Sequence, residues 1–116
     1  MDVTNKATLT IQPGTMICGD ADQLLMNVSY LNIDQDAKLM ADGTRDKPIV
    51  FTSSRTAGQR RPQDWGGVVL RGRAPINNPP DAGKGPETTC VQAEANAGLY
   101  GPCGTIKAND SSGVLR

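Results

Sequence analysis

Apolar residues recur along this chain with a fixed spacing. Leu9, Ile11 and Ile17 stand at steps of two and six, and Leu31, Ile33 and Leu39 repeat those steps twenty-two positions later. A third set, Val68, Leu70 and Ile76, follows after a longer interval. Self-similarity of this kind predicts stacked coils, each too small to bury its own apolar side. Within the sets, apolar and polar residues alternate with period two, and β-branched residues are common. The stretches 7–11, 15–18, 30–33, 37–41, 48–52, 65–70 and 111–116 therefore read as strands. Pro13-Gly14, Asp34-Gln35-Asp36 and Asp42-Gly43-Thr44 read as the corners between them. Residues 37–44 also echo residues 7–15, so a repeat of about thirty competes with the repeat of twenty-two. Leu24-Leu25-Met26 has no clear period and fits either a short helix or a coil side.

The expected fold is all-β: a short right-handed parallel β-helix, a solenoid of about three coils, forming one domain over residues 1–116. Residues 54–64 and 78–109 are polar or rich in Gly, Pro and Ala, and read as loops leaving at coil corners. A solenoid tolerates such insertions because they leave the stack undisturbed.

Composition supports a narrow coil. One Phe, one Trp and two Tyr are few for an ordinary sandwich or helical core, whereas Gly and Pro total 13 and 8. Charge is balanced at 12 basic and 12 acidic residues, which gives no footprint for nucleic acid. The chain has no histidine, so the commonest metal ligand and general base is missing. No metal, cofactor or catalytic residue is expected. No apolar run reaches membrane-spanning length. Residues 1–10 lack the apolar centre of a signal peptide, so an export signal would lie upstream or have been removed.

Three cysteines remain. Cys90 and Cys103 share one Gly/Pro-rich loop and read as a disulfide formed in an oxidising compartment, against the alternative of two reduced loop thiols. Cys18, after Met16 and Ile17, reads as a small buried apolar side chain. Asn27-Val28-Ser29 matches a glycosylation acceptor pattern that is common by chance.

Five arginines lie between Arg55 and Arg73. Arg60, Arg61, Arg71 and Arg73, with Trp65, form a candidate binding face for a sulfated or carboxylated glycan. The plainer reading is a solvated loop plus outward strand positions, Arg71 pointing outward beside Leu70. Trp65, before Gly66-Gly67, reads as local packing on the coil flank, with the glycines permitting close backbone approach. Asp20/Asp22 and Asp34/Asp36 fall at corners, where Asp bonds its own backbone, and read as solvated turn residues.

Seven segments together resemble a known family. They are Leu9-Thr10-Ile11-Gln12-Pro13-Gly14-Thr15, Ala37-Lys38-Leu39-Met40-Ala41-Asp42-Gly43-Thr44, Lys47-Pro48-Ile49-Val50-Phe51-Thr52-Ser53, Gly58-Gln59-Arg60, Asp64-Trp65-Gly66-Gly67-Val68-Val69-Leu70, Gly72-Arg73-Ala74-Pro75-Ile76-Asn77 and Asp110-Ser111-Ser112-Gly113-Val114-Leu115-Arg116. In this order they resemble the right-handed β-helix surface proteins and lipoproteins of Gram-negative bacteria. The resemblance implies an extracytoplasmic, secreted or outer-membrane location and no settled activity. Members of that family continue past the Val114 strand, so this chain looks truncated beside them.

The expected function is a non-enzymatic structural or adhesive module. Its flat flank and cysteine loop would contact partners, and its exposed end coils would self-associate into a homo-oligomer. The alternative is a carbohydrate-binding or polysaccharide-processing β-helix using the Arg/Trp face.

Overall fold

A computed structural model describes residues 1–21, 29–76, 90–93 and 98–116. Ten strands are described and no helix: β1 Asp2–Val3, β2 Thr8–Ile11, β3 Met16–Gly19, β4 Leu31–Ile33, β5 Lys38–Ala41, β6 Val50–Ser53, β7 Val68–Leu70, β8 Val91–Gln92, β9 Leu99–Tyr100 and β10 Gly113–Leu115. The region 24–26 and Asn27-Val28 lie outside the described residues, as do Asp22 and residues 77–89 and 94–97 of the long loop.

The chain runs through β1, β2 and β3, then returns to lay β4, β5 and β6 upon them in parallel. Asp2 lies opposite Asn32 and Thr8 opposite Lys38, an interval of 30. Met16 lies opposite Val50, an interval of 34. A third pass sets β7 on β4, with Leu31 opposite Val68 and Ile33 opposite Leu70 at an interval of 37. β10 then closes on β5, with Leu39 opposite Gly113 at an interval of 74. Three parallel sheets result, ordered β1-β4-β7, β10-β5-β2 and β3-β6.

The equivalence of Leu31/Ile33 with Val68/Leu70 is the one the spacing gave. The twenty-two-residue step is not a stacking interval: Leu9 pairs with Leu39, not Leu31, so the echo of about thirty is the true one. Ile76 is likewise not the third copy of Leu39. Among the described residues after Leu70, Gly113 is the one that takes that place.

Alternation explains the burial. Ile11, Leu31, Ile33, Ala37, Leu39 and Ala41 form the buried core, with Val3, Leu9, Ile17, Ile49, Phe51 and Val68 packed against it. Most of the core comes from the second pass, because only that pass is covered from both sides. Corners are made where the backbone turns left-handed: Asn5 and Lys6 (φ 55 and 61), Asp36 (φ 69) and Gly14 (φ 84). Asn, Asp and Gly tolerate this conformation best. Cys18 is exposed, not buried, because in β3 it alternates with Ile17 and takes the outward position of Met16.

The segment between β7 and β10 is not wholly irregular. β8 and β9 pair antiparallel, Val91 opposite Tyr100 and Gln92 opposite Leu99. Cys90 and Cys103 are disulfide-bonded across a sequence separation of 13 and close this hairpin. Closing a loop of about 15 residues is worth about 3 kcal/mol in the chain-entropy view, more than a single hydrogen bond supplies.

Candidate functional site

The Arg/Trp group divides into three environments. Arg71 follows β7 and is only 9% exposed. It does sit on the flank of Asn32, but the hairpin covers it. Its Nε donates to Asn32 Oδ1 at 3.1 Å, one terminal nitrogen pairs with Asp34 Oδ1 at 2.7 Å, and the other donates to the Leu99 carbonyl at 3.2 Å. Asn32 in turn donates to Asp2 Oδ1 at 2.8 Å. A polar ladder thus climbs the flank through all three passes, from Asp2 through Asn32 to Arg71. Buried polar groups require such partners, and these have them.

Arg73 is held in the same way. Its Nε donates to Asp36 Oδ2 at 3.0 Å, and its backbone N–H donates to Asp110 Oδ2 at 2.6 Å. Lys107 pairs with the other oxygen of Asp36. The hydrogen bond from Lys107 and that from Arg73 hold the Asp36 carboxyl below its ordinary pKa. Gln35 Nε2 donates to the carbonyls of Gly101 (2.7 Å) and Gly72 (3.1 Å), and lies 3.5 Å from Cys103 Sγ. The corner 34–36 is therefore not a solvated turn. Its two carboxylates and one amide fasten the cysteine loop to the stack.

Trp65, Arg60 and Arg61 lie near β6. The Trp65 ring covers Gly19: a Cβ there would stand 2.3 Å from Trp65 Cδ2. Against the Trp65 ring it is Gly19, not Gly67, whose missing side chain is required. Gly67 is needed for its φ of 77 and has open space around it. Asp64 is buried and accepts from Ser53 Oγ (2.7 Å), Arg55 Nε (2.7 Å) and the Arg61 backbone N–H (2.9 Å). The Arg61 N–H and the Ser53 hydroxyl lead in holding its pKa below the ordinary value. Arg60 Nε donates to the Arg55 carbonyl at 3.1 Å, and both Arg60 and Arg61 are exposed. The structure thus brings Arg71 and Arg73 together under the cysteine loop. It ties Arg61 to Asp64 and Arg60 to the Arg55 carbonyl, and seats Trp65 on Gly19.

One feature was not singled out by sequence reasoning. An open groove of about 360 Å³ at the next corner is lined by Lys6, Asp36, Lys38, Lys107, Asp110 and Ser111, among others. The sequence carried a signal for it: at the interval of 30, Lys6 occupies the corner position of Asp36. At the end of the stack, which the sequence reading expected to be uncovered, Leu70, Val114 and Leu115 beside β7 and β10 are exposed. Among the described residues no three carboxylates or cysteines meet in a metal cage, and no helix is long and apolar enough to cross a membrane.

No curated protein and no solved structure matches the chain. A family model described as the pectate-lyase-like beta helix domain matches residues 1–116. That match spans every parallel sheet described above, and the chain belongs to the pectate-lyase-like β-helix domain family.

Proposed function

We propose that the chain is a short right-handed parallel β-helix of about three coils. It serves as a non-enzymatic structural or adhesive module outside the cytoplasm and associates through its open end. The observation that carries this reading is the outermost layer. β7 and β10 are edge strands of their sheets, and the neighbouring Leu70, Val114 and Leu115 are exposed, Leu115 by 55%. Edge strands offer unpaired main-chain groups to another chain. The Cys90–Cys103 bond favours an oxidising compartment. The engagement of Arg71 and Arg73 with Asp34 and Asp36 favours a scaffold role for those arginines.

Light scattering behind size exclusion, run over a range of concentrations, tests the association. The mass should rise with concentration, and Val114→Lys with Leu115→Lys should restore the monomer without lowering the melting temperature. A constant monomer mass at every concentration ends this reading.

A second reading is binding of acidic polysaccharide. It draws on the family description and on the lysine groove, where the ammonium groups of Lys6 and Lys38 pair with no described residue. Binding on a glycan array that disappears in Lys6→Ala/Lys38→Ala supports it, and a blank array ends it.

A further inference from the structure

The cysteine hairpin has one limb fastened to the stack and one that is not. Gly101 N–H donates to the Gly72 carbonyl at 2.9 Å, Lys107 N–H donates to the Arg73 carbonyl at 3.3 Å, and Pro102 is fully buried. Residues 90–93 hold to that limb alone. Val91 and Gln92 pair with Tyr100 and Leu99, and Ala93 N–H donates to the Gly98 carbonyl at 2.8 Å. Among the described residues, 90–93 make no hydrogen bond to the stack. The Cys90–Cys103 bond thus joins a docked sulfur to one that is held by a two-residue ladder.

The two sulfurs also differ in what faces them. Both cysteines are half-buried, so exposure does not separate them. Gln35 Nε2 lies 3.5 Å from Cys103 Sγ. Its two hydrogens serve the carbonyls of Gly101 and Gly72, the second at the longer distance of 3.1 Å. A negative charge growing on the sulfur would draw that second hydrogen across, because charged acceptors make the stronger bond. Arg73 Nη1 donates to the Pro102 carbonyl at 3.4 Å, which sets a guanidinium beside the same limb. Among the described residues no hydrogen bond reaches Cys90 Sγ. Donors and cations favour a thiolate. In thiol–disulfide exchange, the sulfur that better carries negative charge leaves faster.

We propose that this bond is a site of reversible modification by a small thiol, which caps Cys90 and frees Cys103 as a docked thiolate. The incoming thiolate attacks Cys90 Sγ in line with the existing bond. A new S–S bond forms there, the old one breaks, and its electron pair leaves on Cys103 Sγ beside the Gln35 amide. One thiolate is consumed and one is produced, so the step needs no oxidant or reductant. In reverse, Cys103 attacks the capped Cys90 and expels the small thiol. Capping leaves residues 90–93 with the ladder as their hold, and leaves the limb from Leu99 to Lys107 in place.

The test uses the full chain carrying Cys18→Ser, which removes the competing free thiol, with reduced glutathione as the small thiol. Maleimide stops the reaction early, and digestion after glutamate separates the two cysteines. Chains with glutathione on Cys90 and maleimide on Cys103 should outnumber the reverse by about tenfold or more. In Gln35→Leu that excess should shrink to about threefold or less. Two single-cysteine chains decide the matter even where Gln35→Leu fails to fold. Alkylation of Cys103 in Cys90→Ser should reach its midpoint at lower pH than alkylation of Cys90 in Cys103→Ser. With glutathione fixed on Cys90 in Cys103→Ser, the Ala93 amide should lose its protection from hydrogen exchange and the Gly101 amide should keep it. Glutathione shared equally or placed on Cys103, no mixed disulfide at millimolar glutathione, or midpoints equal or reversed would each overturn the proposal. An undiminished excess in a folded Gln35→Leu, or loss of protection at Gly101, would overturn it as well.

Discussion

Replacing Gly113 with alanine should lift β10 off the stack while leaving the first two passes in place. Gly113 lies directly on Leu39 with φ of 122, and an added Cβ would stand 1.9 Å from the Leu39 carbonyl oxygen and 2.7 Å from its carbon. Those atoms are backbone in the middle of a three-stranded sheet, so neither can move aside. A non-glycine residue held in such a conformation also carries strain of about 1–3 kcal/mol. Against this, the returning strand gains the bonds from Leu39 N–H to the Ser112 carbonyl, from Arg116 N–H to the Ala41 carbonyl and from Gly43 N–H to the Arg116 carbonyl. Main-chain bonds of this kind are worth about 1 kcal/mol net each, and all of them depend on β10 lying at a distance that the added Cβ forbids. Amide hydrogen exchange reads the result residue by residue. Protection should vanish at Leu39 and Gly43 and persist at Lys38, whose N–H donates to the Ala7 carbonyl on the other side of β5. Wild-type protection at Leu39 in Gly113→Ala would refute the placement of β10.

Three further outcomes follow from the same geometry. Gly19→Ala should displace the Trp65 ring, and because Trp65 is the sole tryptophan, a red shift of fluorescence reports it directly. Cys18 should react with a maleimide in the folded protein within minutes, whereas Cys90 and Cys103 should react only after reduction, as intact mass would show. Stability should fall in acid. The carboxyls of Asp36 and Asp64 titrate below the ordinary 3.8 in the folded state. Their contribution is complete above that value, shrinks as pH drops through it because the unfolded chain then binds more protons, and is gone below the native pKa. Melting temperatures taken from about pH 6 to pH 2 should trace this decline, and Asp36→Asn should flatten it.

Much of the architecture could be read from alternation alone, since an inward Leu or Ile every second residue leaves little choice of face. Its interval could not. Leu9, Leu31 and Leu39 are equally apolar, and it is the matching of corners, Asp36 with Lys6 rather than with Gly14, that separates an interval of 30 from one of twenty-two. The returning strand at 111–116 was legible, but its seat on β5 was not, because Gly113, which lies opposite Leu39, carries no hydrophobic signal. The site was less legible than the fold. Direction along a strand placed Arg71 on the outer flank, but the hairpin over it comes from residues 91–100, whose pairing no local pattern announces. Trp65 was legible as packing, while its seat on Gly19 depends on β3 and β6 being neighbours.

The corner shared by Lys6, Asp36 and Arg73 has a consequence for how the chain finds its arrangement. Cation, anion and cation succeed one another up the axis, and Arg73 closes on Asp36 at 3.0 Å. Successive passes differ in length, so counting residues cannot tell a returning strand where to land, and the aliphatic columns accept many landings. A misplaced pass would leave Asp36 without its cations or bring Lys6 and Arg73 together. The sign of one corner residue thus works as an address, rejecting wrong neighbours that greasy contacts alone would admit.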